Sequence, residues 1–465
     1  MTLVIPDTVT NANAWRAGLL LGILALQAGW TVLAWTIAVW TARQGPVSRL
    51  PLRLAVAWVV AWWAADALRS SGWWGDPYGS LSIAMLEAPG ARGWLPWIGA
   101  DGLAAAVLTL SAIPFVAWHQ CAARSLTARI VRTLGSALIP VLLMAALGAW
   151  LGHCAESWTT PREHGLTVTA LQASRDKRMP WTAQARDAEM ETLVQTIAAT
   201  PRGGLVMAPE TYFDDAVPLA GAPDWATLPA HALQHSVHAV VGIPLLGRDK
   251  SGRQMMNAVI HVAPERQALY AKERLVPGAE YIPWPALIQP VLARLFDMRL
   301  KSQLSAPAEL TQALYVDGTL LGVGICHELS FPVTMAERAR DSHMLISVAD
   351  DSWIPSAAYR SVMWRVAQLR AVEARKPLVR ASNGMAAMWV DASGRMLPPQ
   401  AHPTELSASA EVLPRDGATP YHLTAVLQHL APLYLLMLCF AIGAWRWMQG
   451  PAGRLNPSYH QEGKS

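Results

Sequence analysis

Long apolar runs fill the first third of the chain and return near its end. A membrane-spanning helix needs about 20 predominantly apolar residues. The runs that meet or approach this length are residues 14–40, 54–68, 102–118, 134–151 and 426–447. Several of them have Trp at their ends, which is typical of side chains at the lipid headgroups. The pattern predicts transmembrane helices within residues 1–155, about four spans, and a C-terminal transmembrane helix over 421–448.

Two parts of this pattern allow more than one interpretation. Residues 14–40 would also fit a helical hairpin, but 27 residues are few for two spans. Residues 81–99 are semi-apolar and contain Gly and Pro. They fit an interfacial or re-entrant segment, and equally an ordinary loop.

Basic residues are distributed unevenly among the loops. They follow the first apolar run (Arg43, Arg49, Arg53), separate the third from the fourth (Arg124, Arg129, Arg132) and follow the last (Arg446, Arg454, Lys464). Because Lys and Arg favour the cytoplasmic side, this predicts an outside N-terminus and a cytoplasmic tail at 449–465. Residues 156–420 would then lie outside the cytoplasm, in the periplasm of a Gram-negative host.

The long middle segment has a different periodicity. Short apolar runs, each of strand length, occur at 166–171, 205–208, 239–243, 256–262, 267–271, 319–325, 344–349 and 378–381. Amphipathic stretches at 183–200, 225–237 and 359–374 have helical spacing. This alternation predicts a mixed α/β layered domain over residues 156–420.

Composition supports a membrane protein. The chain is 52% hydrophobic and 15% charged, whereas soluble domains carry about 25% charged residues. The net charge of +4 is spread out, so nucleic-acid binding is not expected. The four Cys lack zinc-site or redox spacing, which predicts no metal site, no disulfide framework and a free thiol at Cys326. The polar N-terminus has no basic region, so no cleavable signal peptide is expected.

Three polar residues stand where apolar runs of the middle segment end. Glu210 ends Gly-Leu-Val-Met-Ala-Pro-Glu, Lys272 ends Ala-Leu-Tyr-Ala-Lys, and Cys326 follows Gly-Val-Gly-Ile. A carboxylate, an amine and a thiol are the groups needed to attack an acyl carbon and hold the product as a thioester. Taken alone, a cysteine after a strand is more often a core residue.

Two other groups of polar residues are not expected to form a metal site or a shared active site. His231, His235 and His238 have helical spacing, but no carboxylate or cysteine stands nearby, so a solvated helix face is expected. Asp350 and Asp351 are neighbours on a predicted strand and would point to opposite faces.

Further motifs occur in a recognisable order. The stretch 270–283, Tyr-Ala-Lys-Glu-Arg-Leu-Val-Pro-Gly-Ala-Glu-Tyr-Ile-Pro, contains Glu280 eight residues after Lys272. Trp181 precedes it, and Asp351-Ser-Trp353, Arg370 and Ser382-Asn-Gly384 follow Cys326. In this order the motifs resemble the carbon-nitrogen hydrolase (nitrilase) superfamily. The resemblance is closest to its membrane-bound branch of apolipoprotein N-acyltransferases, and extends to nitrilase-like membrane proteins of conjugal-transfer operons.

The resemblance implies a nitrilase-like αββα sandwich attached to an α-helical transmembrane domain. It implies that Glu210 is the general base, that Lys272 stabilises the oxyanion and that Cys326 is the nucleophile. Glu280 would orient Lys272 or assist proton transfer, and Glu328 would support the turn that carries Cys326. Trp181 is similar to a tryptophan near the acyltransferase site. His327 stands where those acyltransferases have an aromatic residue, and the membrane part is shorter than theirs.

The function implied is that of an inner-membrane acyltransferase without cofactors. It would move an acyl group from a phospholipid, through a thioester on Cys326, to an amine of a protein or peptide. Two alternatives stay open. One is a membrane-bound amidase or transpeptidase-like enzyme that acts on a conjugation or pilus component. The other is a catalytically silent membrane scaffold that has kept the fold.

Overall fold

A computed structural model provides the fold. It describes residues 12–44, 47–70, 80–121, 125–173, 179–215, 217–218, 227–249, 252–263, 267–277, 280–281, 285–296, 304, 313–352, 354, 356–401 and 406–448. The helices are α1 (Ala12–Arg43), α2 (Leu50–Ser70), α3 (Leu81–Met85), α4 (Ala91–Gln120), α5 (Leu126–Ala155), α6 (Ala183–Ala199), α7 (Thr227–His235), α8 (Pro285–Phe296), α9 (Pro332–Asp341), α10 (Ala357–Ala374) and α11 (Pro420–Met448). The strands are β1 (Thr159–Pro161), β2 (Leu166–Leu171), β3 (Leu205–Met207), β4 (Val217–Pro218), β5 (His238–Asp249), β6 (Gly252–Val262), β7 (Gln267–Ala271), β8 (Leu314–Val316), β9 (Thr319–Ile325), β10 (Met344–Asp350), β11 (Leu378–Asn383), β12 (Met388–Val390), β13 (Gln400–Ala401), β14 (Ser407–Val412) and β15 (Arg415–Gly417).

Two sheets stack face to face in the middle segment. The larger has the order β13-β14-β2-β3-β5-β6-β7, with β4 beside β5, and the smaller has the order β12-β11-β10-β9-β8. Strands β2, β3 and β5 are parallel, as are β9, β10 and β11. Buried apolar side chains from both sheets, such as Val168, Met207, Val323 and Ile346, form one core between them. The short, apolar, β-branched runs of the sequence fit strands buried in this way.

Helices cover the outer faces of both sheets. On the larger sheet, Leu193 and Ile197 of α6 and Ala232 of α7 pack with Val206 and Val241. On the smaller sheet, α9 contacts β9 and α10 contacts β11. The domain is therefore an αββα sandwich, which confirms the predicted fold.

The described residues form two compact units. The first contains the sandwich and comprises Ser70–Leu103, Ala145–Val426 and the described part of Met1–Gly22. The second comprises Ile23–Arg69, Ala104–Met144 and the described residues from Leu427 on. Among the described residues, the helices that are long and apolar enough to cross a membrane are Leu50–Ser70, Ala91–Gln120, Leu126–Trp158 and Pro420–Met448. The first predicted span lies within α1, a single helix of 32 residues, so the hairpin alternative is wrong.

Alanines and tryptophans organise the second unit. Ala38 of α1 and Ala61 of α2 are buried together, and small side chains let helix backbones approach closely. The rings of Trp35, Trp58 and Trp62 pack edge to face, with centroids 5.5–6.2 Å apart.

On α5 the leucines at helical spacing are exposed: Leu134, Leu138 and Leu142. Such an apolar surface suits contact with lipid.

Residues 81–99 contain two helices, α3 and the first part of α4, joined by a turn over residues 86–90, so the ordinary-loop alternative is wrong. Leu86 in that turn and Leu95 of α4 are fully buried. Arg365 of α10 donates to the carbonyl of Ile83 at 3.4 Å. Gly99 has φ +57°, which kinks α4 where Tyr421 leaves no room for a Cβ.

Two local features lie near the strand ends. β8 and β9 form an antiparallel hairpin whose turn residues, Asp317 and Gly318, both have positive φ. The helix that would carry three histidines is shorter than predicted. α7 ends at His235, and His238 opens β5, where its ring stacks on that of His261.

Candidate functional site

The polar residues at the strand ends converge because of the sheet directions. Glu210 follows β3, and Lys272 follows β7. Since β6 is antiparallel to both β5 and β7, strands β3, β5 and β7 run in the same direction, so these residues leave the larger sheet at the same edge. Cys326 leaves the smaller sheet after β9. Ligands of parallel sheets characteristically bind beyond the carboxyl ends of the strands.

A buried cluster surrounds the lysine. Lys272 Nζ lies 3.1 Å from Glu210 Oε1 and 2.8 Å from Glu280 Oε1. Asn257 Nδ2 donates to the same two oxygens, at 2.6 and 3.0 Å. Asn257 stands on β6 and was not identified from the sequence. Its position between an apolar Met-Met and Ala-Val-Ile gave it the appearance of an ordinary strand residue.

Backbone groups hold the cluster in place. The N–H of Asp350 donates to Glu210 Oε2 at 2.9 Å, and the N–H of Val276 donates to Glu280 Oε2 at 2.7 Å. The N–H of Lys272 donates to the carbonyl of Asn257 at 2.8 Å, which joins β6 to the residue that follows β7. These bonds fix the cluster to three separate segments of the chain.

Burial sets the ionisation of the cluster. It raises the pKa of Glu210 above its usual value, against the opposing effect of Lys272, while Glu280 raises that pKa further. Burial alone would lower the pKa of Lys272, but the carboxylates of Glu210 and Glu280 outweigh it and hold that pKa well above its usual range. Lys272 is therefore a fixed cation. A carboxyl group whose pKa is shifted toward neutrality is suited to proton transfer.

Cys326 lies at a strained turn. It is buried and has φ +53°, a left-handed conformation that costs a non-glycine residue about 1–2 kcal/mol. A 3-10 turn, Cys326–Ser330, begins at this residue. Such strain persists only where the surroundings hold it, and it is concentrated at functional sites.

The thiol interacts electrostatically with the cluster. Burial raises the pKa of Cys326 well above its usual value, as does Glu210, whereas Lys272 lowers it. The thiol is thus neutral at rest and needs a base before it can attack a carbonyl carbon. Glu210 is a carboxylate suited to that task, and Lys272 is a cation beside it. This is the chemistry of a base-activated nucleophile with a positive charge available for a developing oxyanion.

Glu328 lies at the centre of the turn and is completely buried. Its carboxylate accepts the N–H of Ile325 at 2.8 Å through Oε2, and the N–H of Glu273 at 2.8 Å through Oε1. Burial would raise the pKa of Glu328, but Arg338 and the backbone donors hold it below its usual value. The ionised carboxylate of Glu328 therefore accepts hydrogen bonds from the backbone of the residue before Cys326 and of the residue after Lys272.

Two other predicted residues have aromatic surroundings. His327 is buried, and its ring packs edge to face on Phe331 with centroids 4.8 Å apart. Trp181 packs edge to face on Phe213, three residues after Glu210, with centroids 6.3 Å apart. The structure thus gives Trp181 a packing contact with the segment that carries Glu210.

The later motifs separate into two groups. Asp351 Oδ2 pairs with Arg380 Nη2 at 2.6 Å and accepts the hydroxyl of Ser382, and all three residues are buried. Arg380 was not identified from the sequence, although it stands in an otherwise apolar strand. Arg370 pairs instead with Glu373 at 2.8 Å. Trp353 and parts of 270–283 lie outside the described residues.

Comparisons with known proteins identify relatives of this chain. The carbon-nitrogen hydrolase family model matches residues 167–413, more than half of the chain. The chain is 29% identical to an apolipoprotein N-acyltransferase of Azotobacter vinelandii over 92% of its length and 81% of the relative. It is 26% identical to one of Pseudomonas syringae over 94% of its length and 82% of the relative. Among solved structures, a CN-hydrolase superfamily protein of Xanthomonas campestris is 18% identical, with a TM-score of 0.39, over 59% of this chain and 97% of that one.

Proposed function

Because the chain belongs to the carbon-nitrogen hydrolase family, we propose that it is a membrane-bound N-acyltransferase that uses Cys326 as its nucleophile. Its relatives with the name apolipoprotein N-acyltransferase align over 92% and 94% of the chain, which contains four helices long and apolar enough to cross a membrane among its described residues. The acyl donor is a phospholipid, and the acceptor is the free amine of a lipoprotein. The observation that supports this most is the buried Glu210–Lys272 pair beside a strained thiol.

The first half-reaction forms the thioester. Glu210 takes the proton of the Cys326 thiol, and the thiolate attacks the carbonyl carbon of the phospholipid ester. The oxyanion of the tetrahedral intermediate is stabilised by the ammonium of Lys272. The carbon–oxygen ester bond then breaks, Glu210 returns its proton to the leaving alkoxide, and a lysophospholipid departs.

The second half-reaction transfers the acyl group. The acceptor amine attacks the thioester carbon, and Glu210 accepts a proton from the amine. Lys272 again stabilises the oxyanion. The carbon–sulfur bond breaks, Cys326 regains the proton, and the product is an amide. One base therefore serves both halves, which requires a carboxyl group able to hold and release a proton near neutral pH.

The neighbouring residues support this chemistry. Glu280 orients Lys272, to which it is bonded at 2.8 Å. Glu328 supports the turn at Cys326 through its bond to the N–H of Ile325. Trp181, which packs on Phe213 three residues after Glu210, and His327, which follows the nucleophile in the chain, would have supporting roles.

The proposed enzyme has a catalytic domain over residues 156–420. It is joined to membrane helices within 1–155 and to a membrane helix over 421–448, with a cytoplasmic tail over 449–465. The basic loops favour an inner-membrane orientation in which the catalytic domain is periplasmic. Phospholipid acyl chains would then reach the site from the bilayer.

The test uses the purified full-length protein with palmitoyl-labelled phospholipid and a synthetic lipopeptide that has a free N-terminal amine. The wild type should transfer the label to the amine, and the Cys326→Ala variant should not. A labelled thioester without transfer would favour a different acceptor. A peptide-derived adduct on Cys326 would favour the amidase or transpeptidase-like alternative, and equal function of the Cys326→Ala variant would favour the scaffold.

A further inference from the structure

One arginine outside the proposed catalytic cluster connects the segments of the chain that carry Lys272 and Cys326. Arg338 stands on α9, and its side chain is 12% exposed. Its Nη1 donates to the carbonyl of Val323 at 2.7 Å and lies 3.1 Å from Glu328 Oε2. Its Nη2 lies 3.0 Å from Glu273 Oε2 and 3.2 Å from Glu328 Oε1. The guanidinium therefore contacts β9, the turn after β9 and the loop after β7.

The same guanidinium covers an aromatic ring. The Cζ of Arg338 lies 4.7 Å from the centroid of Tyr270, two residues before Lys272. The hydroxyl of Tyr270 donates to Glu328 Oε2 at 2.9 Å. A planar, delocalised cation can form the paired hydrogen bonds and the ring contact together, which an ammonium cannot do.

Glu328 connects the proposed nucleophile with the proposed oxyanion-stabilising lysine. One of its oxygens bonds the backbone immediately before Cys326, and the other bonds the backbone immediately after Lys272. The separation of Cys326 and Lys272 therefore depends on one carboxylate, and on that carboxylate being ionised. Arg338 supplies its positive counter-charge.

We propose that Arg338 is a positioning residue that keeps Glu328 ionised and thereby fixes Lys272 relative to Cys326. The inference rests on the proposed function of these two residues. Arg338 touches neither the thiol nor the substrate in this role. Its contribution to the rate passes through the geometry of the Cys326 turn, whose left-handed backbone must be held by its surroundings.

Arg338 would also set how the site responds to pH. The groups that face the Glu328 carboxylate are Tyr270 and Glu273 from the β7 side, and Arg338 from α9. Without Arg338, the buried carboxylate loses its cation and the pKa of Glu328 rises, so a larger fraction of Glu328 is protonated at a given pH. Raising the pH restores the carboxylate, and with it the backbone hydrogen bonds.

The experiment compares the Arg338→Gln, Arg338→Lys and Glu328→Gln variants with the wild type. The Arg340→Gln variant is the matched control, because Arg340 lies on the same helix and its side chain pairs locally with Asp341. Alkylation of Cys326 by iodoacetamide is followed by peptide mass spectrometry across a range of pH, and thioester formation from phospholipid is measured in parallel. Thermal unfolding is recorded for each variant.

At neutral pH the Arg338→Gln variant should lose about 10- to 100-fold in the rate of thioester formation, because a misplacement of about 1 Å can cost about 100-fold. KM should change little. Relative to the wild type, both its thioester rate and its alkylation rate should recover as the pH rises. The Glu328→Gln variant should show the loss without the recovery, and Arg340→Gln should match the wild type.

A folded Arg338→Gln variant with wild-type rates would overturn the proposal, as would a loss that is the same at every pH. If that variant does not fold, Arg338→Lys carries the test: it keeps a positive charge beside Glu328 but loses the paired hydrogen bonds, so a smaller loss and a weaker recovery at higher pH are expected. If the wild type forms no thioester at all, the proposed function fails. The pH dependence of Cys326 alkylation still tests the role of Arg338 in that case.

Discussion

A single methyl group behind Glu210 should disable the site. Gly242 lies on β5, next to the segment that carries Glu210. A Cβ built on Gly242 would lie 2.2 Å from the carbonyl oxygen of Pro209 and 2.6 Å from the Cα of Glu210. Both neighbours are backbone atoms, so no side-chain rotation can relieve the collision in the Gly242→Ala variant.

The size of the effect follows from these distances. Ordinary contacts of a Cβ lie at 3.4–4 Å, so the backbone at Pro209 and Glu210 must move by roughly 1 Å. A displacement of about 1 Å in a catalytic group can lower the rate about 100-fold. Overpacking of this kind costs about 1–3 kcal/mol of stability, which most folded domains tolerate. The Gly242→Ala variant should therefore fold but form the thioester about 100 times more slowly.

The assay is the rate of thioester formation on Cys326, measured beside the thermal unfolding of the same preparation. The matched control is Gly247→Ala on the same strand, where the nearest atom to the new Cβ is the flexible Cε of Met256 at 2.8 Å. That variant should keep a rate close to that of the wild type. A folded Gly242→Ala variant with the wild-type rate would show that the position of Glu210 does not limit the reaction.

Three further perturbations test other parts of the site. Burial raises the pKa of Glu210, and only its ionised form can accept a proton, so the rate of thioester formation should fall as the pH is lowered through that pKa. In the Glu210→Gln variant this pH dependence should vanish, and the rate should drop about 100- to 10,000-fold. The amide of Asn257 lowers the pKa of Glu210, so Asn257→Ala should move the acidic limb of the rate profile about one pH unit higher; an unmoved limb would contradict the assignment of the base. The Arg380→Met variant leaves the buried Asp351 without its cation, so its free energy of unfolding, measured by denaturant titration, should fall by roughly 3–5 kcal/mol. An unchanged midpoint of the denaturant transition would mean that the Asp351–Arg380 pair does not contribute to stability.

Much of the fold was predictable because it depends on local periodicity. The apolar runs at 54–68 and 134–151 lie within α2 and α5, and the run at 319–325 coincides with β9. Strand β14 was missed, since Ser-Ala-Ser-Ala-Glu-Val has small and polar side chains and owes its place to pairing with β2. Pairing between segments more than 200 residues apart is not encoded in a local pattern.

Some residues of the candidate site were likewise predictable from a local sequence pattern, and others were not. Glu210, Lys272 and Cys326 stand at ends of apolar runs, and a polar group in such a position is conspicuous in sequence. Asn257 and Arg338 are not, because each lies within its element and meets the site only through folding. The strained φ of Cys326 was also beyond prediction, since it arises from the bonds that hold the turn.

The role of Cys326 as an acyl-carrying nucleophile can be read from the mass of the peptide that contains it, after the full-length protein is incubated with phospholipid in the absence of an amine acceptor. If Cys326 carries the acyl group, this peptide should gain the mass of one fatty acyl chain, lose it on treatment with neutral hydroxylamine as a thioester does, and remain unmodified in the Lys272→Met variant. An unmodified Cys326 in a folded protein with Glu210 and Lys272 intact would contradict that role.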